Sequence, residues 1–488
     1  LEGAPEFVRG ILTHGLSTTR PELVEKAISL RPGDPLSPIE QTETQKRLYD
    51  LGIFARVNTA VENPDGESQH KYILYDFEEA NRYTVGVGFG AQVARFGKPS
   101  SQSLGSPAGS TGFSPQASVS VSRINLWGRG HTASAHLAYS SIDKLASLSY
   151  EEPRFFGLSG RNLTYSLVYE DQRDVRTFAS KRAEASVQLS QKFSKATTGM
   201  FRYSYRRVSA SQIVIPVLLI PQLLQPVRLG ILSANLVRDR RDNPTNPHHG
   251  SLNSVDIRMA ARWFGSQRSF GAALVRNATY YSLTKNIVLA RQTEFGVIEP
   301  FSPPKGLSEQ QSVPLPERFF AGGADSLRAF AFNEAGPRDT GAPLFPGGPS
   351  SQATGFPLGG NALFTNNIEL RFPLIGENIQ GVLFHDMGNV FSSLSDMSLR
   401  FHQRNLQDFD YTVHAAGIGI RYRTPVGPVR VDLAYSLNPP SFNGFNGTPQ
   451  ELLQCDPNDP ATASKSFCQV SQQSTGRFQF FFSIGQTF

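Results

Sequence analysis

From Arg82 onward the chain repeats one pattern, apolar and polar positions in alternation. Tyr83, Val85, Val87 and Phe89 alternate with Thr84, Gly86, Gly88 and Gly90. Ala183, Ala185, Val187 and Leu189 alternate with Arg182, Glu184, Ser186 and Gln188, and Val255, Ile257, Met259 and Trp263 with Ser254, Asp256, Arg258 and Arg262. Near the end, Ile418, Ile420 and Tyr422 alternate with Gly417, Gly419, Arg421 and Arg423, then Val429, Val431, Leu433 and Tyr435 with Arg430, Asp432, Ala434 and Ser436. A period of two places apolar side chains on one face of a strand and small, polar or charged ones on the other. The first eighty residues read differently. Val8 to Thr13 is a short strand-like run, and Thr19 and Pro21 open a helix with Leu23, Val24, Ala27 and Ile28 on one face. Ser37, Pro38 and Glu40 form a capping box for a second helix, which runs to about Leu51 and stops at Gly52. Ile53 to Val61, the turn Asn63-Pro64-Asp65-Gly66 and Lys71 to Phe77 then predict a hairpin. Residues 1–80 are therefore expected to be a small α+β domain and residues 81–488 an all-β one.

Two architectures produce alternation on this scale. A soluble sandwich or propeller buries the apolar face; a membrane barrel turns it to lipid and its polar face to a watery lumen. Segment length and loop asymmetry separate them. Many runs reach ten to fifteen residues, suited to a tilted spanning strand, and about sixteen fit between Tyr83 and Phe488. Tight turns at Trp127-Gly128-Arg129-Gly130, Ser194 to Ala196, Lys285-Asn286, Ile375 to Asn378 and Thr424 to Pro428 alternate with long connections. Those are Phe96 to Phe113, Ser302 to Leu358, Ser392 to Val413 and Asn438 to Gly476. Short turns on one side and long loops on the other predict a transmembrane antiparallel barrel of about sixteen strands, with the α+β domain on the short-turn side. The last run agrees: Phe478, Phe480, Phe482, Ile484 and the terminal Phe488 lie on one face, and Gln479, Ser483, Gly485 and Thr487 on the other. As the edge of a soluble sheet, that row of phenylalanines would be an aggregation hazard.

Composition changes the picture little. Of 488 residues, 39% are apolar and 18% charged, with 35 Phe and 15 Tyr. Mean hydropathy points to a soluble protein, which is uninformative for a barrel because only alternate residues face lipid. No apolar run is long enough for a membrane-spanning helix; the longest, Ile213 to Leu224, is broken by Pro216 and Pro221 and falls in an expected external loop. It either dips into lipid or packs over the barrel mouth. A net charge of +6, dispersed along the chain, gives no case for nucleic acid. Leu1 in place of Met indicates a chain processed or cut from a longer one.

Several segments resemble one family. Glu317-Arg318-Phe319-Phe320-Ala321-Gly322-Gly323-Ala324-Asp325-Ser326-Leu327-Arg328-Ala329-Phe330 resembles the sixth-loop motif of the BamA and TamA type of outer-membrane assembly factors, with Ala329 where the family has Gly. Gly359 to Pro373 and Phe384-His385-Asp386-Met387-Gly388-Asn389-Val390-Phe391 resemble the two strands that follow. Gly417 to Tyr435 is similar to the penultimate hairpin, Asp239-Arg240-Arg241-Asp242-Asn243-Pro244 to a periplasmic-side motif, and the amino-terminal unit to a POTRA domain. The resemblance covers nearly the whole chain. It implies a sixteen-strand barrel whose first and last strands pair loosely, forming a lateral seam through which client β-barrel or surface proteins are inserted or translocated. Those strands would be Tyr83 to Arg95 and Arg477 to Phe488, with Tyr83, Val85, Val87, Phe89, Phe478, Phe480, Phe482 and Phe488 along the seam. A seam that opens offers a pairing edge to client strands whose N–H and C=O groups are expensive to leave unmade in hydrocarbon. Gly86, Gly88 and Gly90 either ease opening or make room in a crowded lumen. The resemblance also implies a bacterial outer-membrane location with the POTRA domain in the periplasm. Unfolded outer-membrane clients and outer-membrane lipids would be its partners, with periplasmic or inner-membrane accessory proteins as further candidates.

The sixth loop supplies the sharpest expectation. Its Leu327-Arg328-Ala329-Phe330 tip matches the segment that folds back into the lumen, and a partly desolvated guanidinium there needs carboxylates. Glu369 lies on the polar face of its strand, and Asp386 faces the lumen by resemblance, so Arg328 is expected to be held by Asp386 and Glu369. The hairpin strands of the α+β domain are expected either to offer an edge for β-augmentation or to serve as a rigid spacer. Other chemistry is set aside. His248-His249 lie in a Pro- and Asn-rich turn with no Cys or carboxylate in ligand spacing, Gly322-Gly323 and Gly359-Gly360 lack the context of a phosphate cradle, and no Ser/His/Asp set is discernible. No enzymatic activity, cofactor or metal is expected. Cys455 and Cys468 fall in the last long loop, where the oxidising envelope favours a disulfide; free thiols are the alternative. A two-partner-type secretion exporter or a gated channel shares the same plan and is the competing function; such exporters usually have a plug helix, and the few residues ahead of the first domain in this chain, itself expected to be cut from a longer one, leave that helix open.

Overall fold

The computed structural model describes residues 5–62, 68–96, 110–173, 175, 177–211, 225–303, 312–341, 352–376, 378–424, 427–448, 451–452, 454–455, 459, 461, 468 and 470–485. The turn at 63–66, the apolar run 213–224 and residues 486–488, Phe488 among them, lie outside these. The chain folds as two compact units. One comprises Leu1–Gly86 with Val119–His136 and Leu148–Tyr165, the other the remainder.

The amino-terminal sheet holds β1 (Phe7–His14), β2 (Phe54–Val61) and β3 (His70–Glu79) in the order β1–β3–β2, with β1 parallel and β2 antiparallel to β3. Two helices, α1 (Pro21–Glu25) and α2 (Pro38–Tyr49), bury Val24 and Leu48 against Val8, Val57, Ile73 and Tyr75. Burial of these side chains is what lets so small a unit hold together. The sequence overstates α1, which makes little more than one turn. Its N-cap is Arg20 rather than Thr19, and Ala27 reaches the core from the turn that follows. The capping box is half made. Ser37 Oγ accepts the Glu40 N–H, but the Glu40 carboxylate takes the Ser29 hydroxyl instead of returning to the cap. The edge expectation also narrows: β3 is the middle strand, paired on both sides, so among the described residues only β2 has a free side in the hairpin.

Glu79, at the end of β3, gathers the segment before α1. Its carboxylate accepts the Ser17, Thr18 and Thr19 N–H groups at 3.2, 2.9 and 2.7 Å and the Ser17 hydroxyl at 2.9 Å. Burial pushes its pKa up, but hydrogen bonds from Thr19 (side chain and backbone), the Thr18 N–H and the Ser17 hydroxyl outweigh burial and hold it at about 2. The segment so fixed meets the tight turn 127–130 within the same unit. Asn125 Nδ2 donates to Thr19 Oγ1 (2.8 Å), the Arg20 N–H to the Gly128 carbonyl (2.9 Å), and Arg20 Nε to the Trp127 carbonyl (3.1 Å). The domain thus touches a tight turn, the side the sequence predicts.

The remaining strands form a closed sixteen-strand barrel. In chain order they are β4 (Tyr83–Phe96), β5 (Ser110–Leu126), β6 (His131–Ser140), β7 (Asp143–Pro153), β8 (Arg161–Gln172) and β9 (Ala179–Lys192). There follow β10 (Thr197–Ser211), β11 (Val227–Asp239), β12 (Gly250–Ala260), β13 (Phe270–Ser282), β14 (Val288–Pro300), β15 (Ala362–Ile375), β16 (Ile379–Phe391), β17 (Val413–Thr424) and β18 (Gly427–Ser436). A small hairpin in the last loop, β19 (Ser441–Phe445) with β20 (Val470–Ser474), precedes the closing strand β21 (Phe478–Gly485). Tyr83, Val85, Val87 and Phe89 stand outward and exposed, as do Phe478 and Phe480, the pattern of a wall solvated by lipid. Trp263 is not part of the β12 alternation: the strand ends at Ala260, and Trp263 sits in the 3-10 turn Arg262–Phe264.

The lumen departs from the expected watery interior. Val208, Leu229, Ile231, Phe270, Ile298, Leu363, Val390 and Val413 form an apolar cluster with Val313, Phe319, Leu327, Ala329 and Phe330 of the sixth loop. The loop fills that part of the barrel, so the inward positions packed on its apolar side chains are apolar themselves. Phe481, between the outward Phe480 and Phe482, is likewise buried, packed with Ile142, Ala324 and Phe332.

Candidate functional site

Two features stand out, the tip of the sixth loop and the junction of the first and last strands. The loop leaves β14 at Pro300 and reaches β15 at Ala362, and its tip is sealed from solvent, with Leu327, Ala329 and Phe330 each at most 1% exposed. Gly322 makes the entry possible. Its φ is +123°, and a Cβ there would lie 2.2 Å from the Ala331 carbonyl oxygen. Gly323 is left-handed too, whereas Ala329 is not, so alanine sits at that position of the tip without backbone strain.

Arg328, only 2% exposed, donates Nε and Nη2 to the two oxygens of Asp386, each at 2.7 Å, in the bidentate fork that guanidinium and carboxylate planes favour. Its backbone N–H adds a third bond to Asp386 (3.0 Å), and Nη1 donates to Glu369 Oε1 at 2.8 Å. The guanidinium carbon lies 3.5 Å from the Phe384 ring centroid, a cation–π contact on the same strand as Asp386. The structure thus brings Arg328, Asp386 and Glu369 together. Sequence reading missed a third carboxylate, Asp432 on β18, fully buried and 3.7 Å from Arg328 Nη1. Asp432 is shared with Arg421 and Arg430, Glu369 with Arg371, and Arg430 reaches back to Asp325 at the loop tip (2.6 Å). The available signal was the polar face of β17 and β18, where Arg421, Arg430 and Asp432 alternate with apolar residues. What it lacked was the cross-strand register.

A second, unanticipated anchor lies nearer the start of the loop. Glu317, 6% exposed, takes the guanidinium of Arg206 on β10, and Arg206 also faces Glu184 on β9. Within the loop, Glu334 pairs with Arg338 (2.9 Å), both side chains fully buried, and Arg338 lies over Phe442 of β19. Cys455 and Cys468 are joined by a disulfide, Cα–Cα 5.5 Å, and the Cys468 carbonyl accepts from Gln352 Nε2 (2.8 Å), so the last loop rests on the sixth. His248 and His249 contribute backbone rather than imidazole: both N–H groups go to Asp242 Oδ1.

At the junction, β21 meets β4 through four paired positions among the described residues, Phe482–Val93, Ser483–Gln92, Ile484–Ala91 and Gly485–Gly90. The other side of β21 pairs with β18 at seven positions, and β9 with β10 at fourteen. Tyr83, Val85, Val87 and Phe89 on β4, like Phe478 and Phe480 on β21, have no register partner across the junction among those residues. On the inner face, Gly86 and Gly88 stand against Ser120 and Ser118 of β5, whose hydroxyls would lie 2.6 Å from an added Cβ.

An α+β domain ahead of a closed sixteen-strand barrel, whose lumen holds a buried loop with an Arg–Asp anchor, defines a POTRA–transmembrane-barrel protein. The Omp85 superfamily domain model matches residues 125–488 and the POTRA model, described as a surface antigen variable number repeat, residues 7–80; the chain belongs to the Omp85 superfamily. Its barrel is one of the outer membrane and its POTRA domain is periplasmic. The chain is 21% identical over 437 residues to the outer membrane protein assembly factor BamA of Nitratidesulfovibrio vulgaris, covering 88% of this chain and 49% of that one. It is 22% identical over 356 residues to BamA of Neisseria meningitidis serogroup B, covering 66% and 42%. The chain spans about half the length or less of these curated relatives. In fold it is similar to the crystal structure of Haemophilus ducreyi BamA lacking POTRA domains 1–3, with a TM-score of 0.72 at 18% identity over 100% of this chain and 85% of that one.

Proposed function

We propose that this chain is the barrel and barrel-proximal POTRA portion of an outer-membrane assembly factor, which inserts client β-barrel or surface proteins through the β4–β21 junction without chemistry of its own. The observation that carries the reading is the four-position pairing of β21 with β4 among the described residues, against seven and fourteen elsewhere. Each backbone N–H or C=O left unpaired in hydrocarbon costs several kcal/mol, so an incoming strand gains most at the least-paired edge of the wall. In this reading the Arg328–Asp386–Glu369 anchor holds the sixth loop while the wall opens, and the disulfide-closed last loop steadies it from outside. Unfolded outer-membrane proteins and the surrounding lipids are the partners, and the free side of β2 is a candidate edge for a client strand. The exporter or channel reading loses ground on one observation, that the sixth loop packs into the lumen from β10 to β17. Reconstitution tests the choice. The purified protein in liposomes is expected to accelerate folding of a client barrel while conducting little; a large steady conductance with no acceleration would favour the channel.

A further inference from the structure

The outer wall carries a charge pattern that assembly of clients does not use. Arg207 on β10 and Arg228 on β11 are directly opposite in register, and both point outward. Arg207 continues the exposed face of Tyr203 and Tyr205, and Arg228 that of Leu232 and Leu236. Cβ atoms of such a pair are about 5 Å apart, a spacing at which like charges repel. Lys181 on β9 adds a third outward cation one step further along, since its partner Ser209 shares the face of Arg207. The turn Arg262–Phe264 folds down over the same patch. The Tyr203 hydroxyl donates to the Phe264 carbonyl at 3.0 Å, and a Cβ on Gly230 of β11 would lie 1.7 Å from that oxygen, so only glycine lets the turn rest there. The turn carries exposed Arg262 and the 80% exposed Trp263, and Gln267 just after it exchanges backbone and side-chain bonds with Arg228.

The inward neighbours behave oppositely. Arg182, Arg202 and Arg206 on the same strands are all matched, to Glu170 and Glu184 or Glu317. Among the described residues no carboxylate lies in ion-pair distance of Arg207, Arg228 or Arg262. Asp171, the acid near Lys181, is held by both arms of Arg173, and the connection 212–226 contains no Asp or Glu. Arg207 and Arg228, without counter-charge among the described residues, on the lipid side of the wall, at the end away from the tight turns and flanked by tyrosines and a tryptophan, lie at headgroup depth in the outer leaflet. We propose that Arg207, Arg228 and Arg262, with Trp263 beside them, form a binding site for the phosphate groups of an outer-leaflet glycolipid. Guanidinium groups suit this ligand because their planar forks match phosphate oxygens bidentately, and one phosphate between Arg207 and Arg228 turns their repulsion into attraction. The site lies on the seventh and eighth of the sixteen strands and the turn after the ninth, about half-way round from the β4–β21 junction. A lipid anchored there leaves that junction free.

The test titrates the detergent-solubilised protein with diphosphoryl lipid A and counts bound lipid by native mass spectrometry. The R207Q/R228Q double variant is expected to bind at least tenfold more weakly while keeping the gel mobility of a folded barrel; Lys285→Gln, in a tight turn at the other end, binds as the parent does. Should the double variant misfold, Arg262→Gln, in a turn outside the sheet, is expected to lose threefold or more. Unchanged binding by the folded variants would overturn the proposal. So would equal affinity for fully dephosphorylated lipid A, while displacement by equimolar inorganic phosphate would reassign the site to a free anion.

Discussion

Replacing Arg328 with alanine is the perturbation whose consequences the structure specifies most fully. Asp432 would keep Arg421 and Arg430, and Glu369 would keep Arg371. Asp386 would keep no cation among the described residues, although it is fully buried. Stranding one member of a buried pair costs about 3–5 kcal/mol, and loss of the stacking on Phe384 adds roughly 1–2 kcal/mol. Asp386→Asn is milder, since Arg328 retains Glu369 and Asp432; the loss of charge on a bidentate acceptor is worth about 1.5–3 kcal/mol. The R328A/D386A double variant removes both partners and is expected to cost less than the two single alanine variants together, with a coupling of about 2 kcal/mol or more. Arg328→Lys cannot reproduce the fork and should recover less than half the loss. Equilibrium unfolding in detergent, followed by the gel-mobility shift of the folded barrel, measures the stabilities, and client insertion in liposomes measures function. If R328A unfolds within about 0.5 kcal/mol of the parent and the double variant is strictly additive, the loop is not held by this cluster.

Other expectations follow from the junction, the POTRA domain and the last loop. Cysteines at Gln92 and Ser483, direct register partners, should form a bond that abolishes client insertion while the barrel stays folded, with activity restored by reductant; full activity in the locked form rules out opening there. Because Glu79 titrates at about 2 when folded, below an ordinary carboxylate, its contribution is complete above about pH 4.5 and is lost as pH falls through the folded value. Amide-exchange protection at residues 17–19 should therefore be flat from pH 7 to 5 and fall towards pH 2, and Glu79→Gln should lower it at neutral pH. The Cys455–Cys468 bond closes a loop with a sequence separation of 13, so Cys455→Ser should release about 3 kcal/mol of restraint. Exchange or proteolysis should then quicken at β19 and β20 and in the 352–356 segment they cover, and no change would show that packing on Phe442 and Phe445 suffices.

The sequence alone determined the elements. A period of two over Tyr83–Phe89, Val255–Met259 and Val429–Tyr435 is a local property: apolar residues two apart share a face whatever the strand pairs with, and turn residues mark where it ends. Barrel, strand number and the side of the POTRA domain were legible for that reason. The Leu327-Arg328-Ala329-Phe330 tip directed attention to Arg328, and resemblance to Asp386 and Glu369. What sequence could not supply was anything that depends on which residues of distant strands stand at the same height. Asp432 joins Arg328 only because β16, β17 and β18 are staggered as they are. Glu317 finds Arg206 more than a hundred residues away. Phe481 stands on the inward face of its strand, where Ile142, Ala324 and Phe332 supply the apolar surface that buries it. The short α1, too, was decided from outside, its predicted start at Thr19 being claimed by Asn125 and Glu79. Register, lumen filling and cross-strand charge belong to the closed barrel because they are relations among strands; the strands themselves belong to the sequence because each is a relation among neighbours.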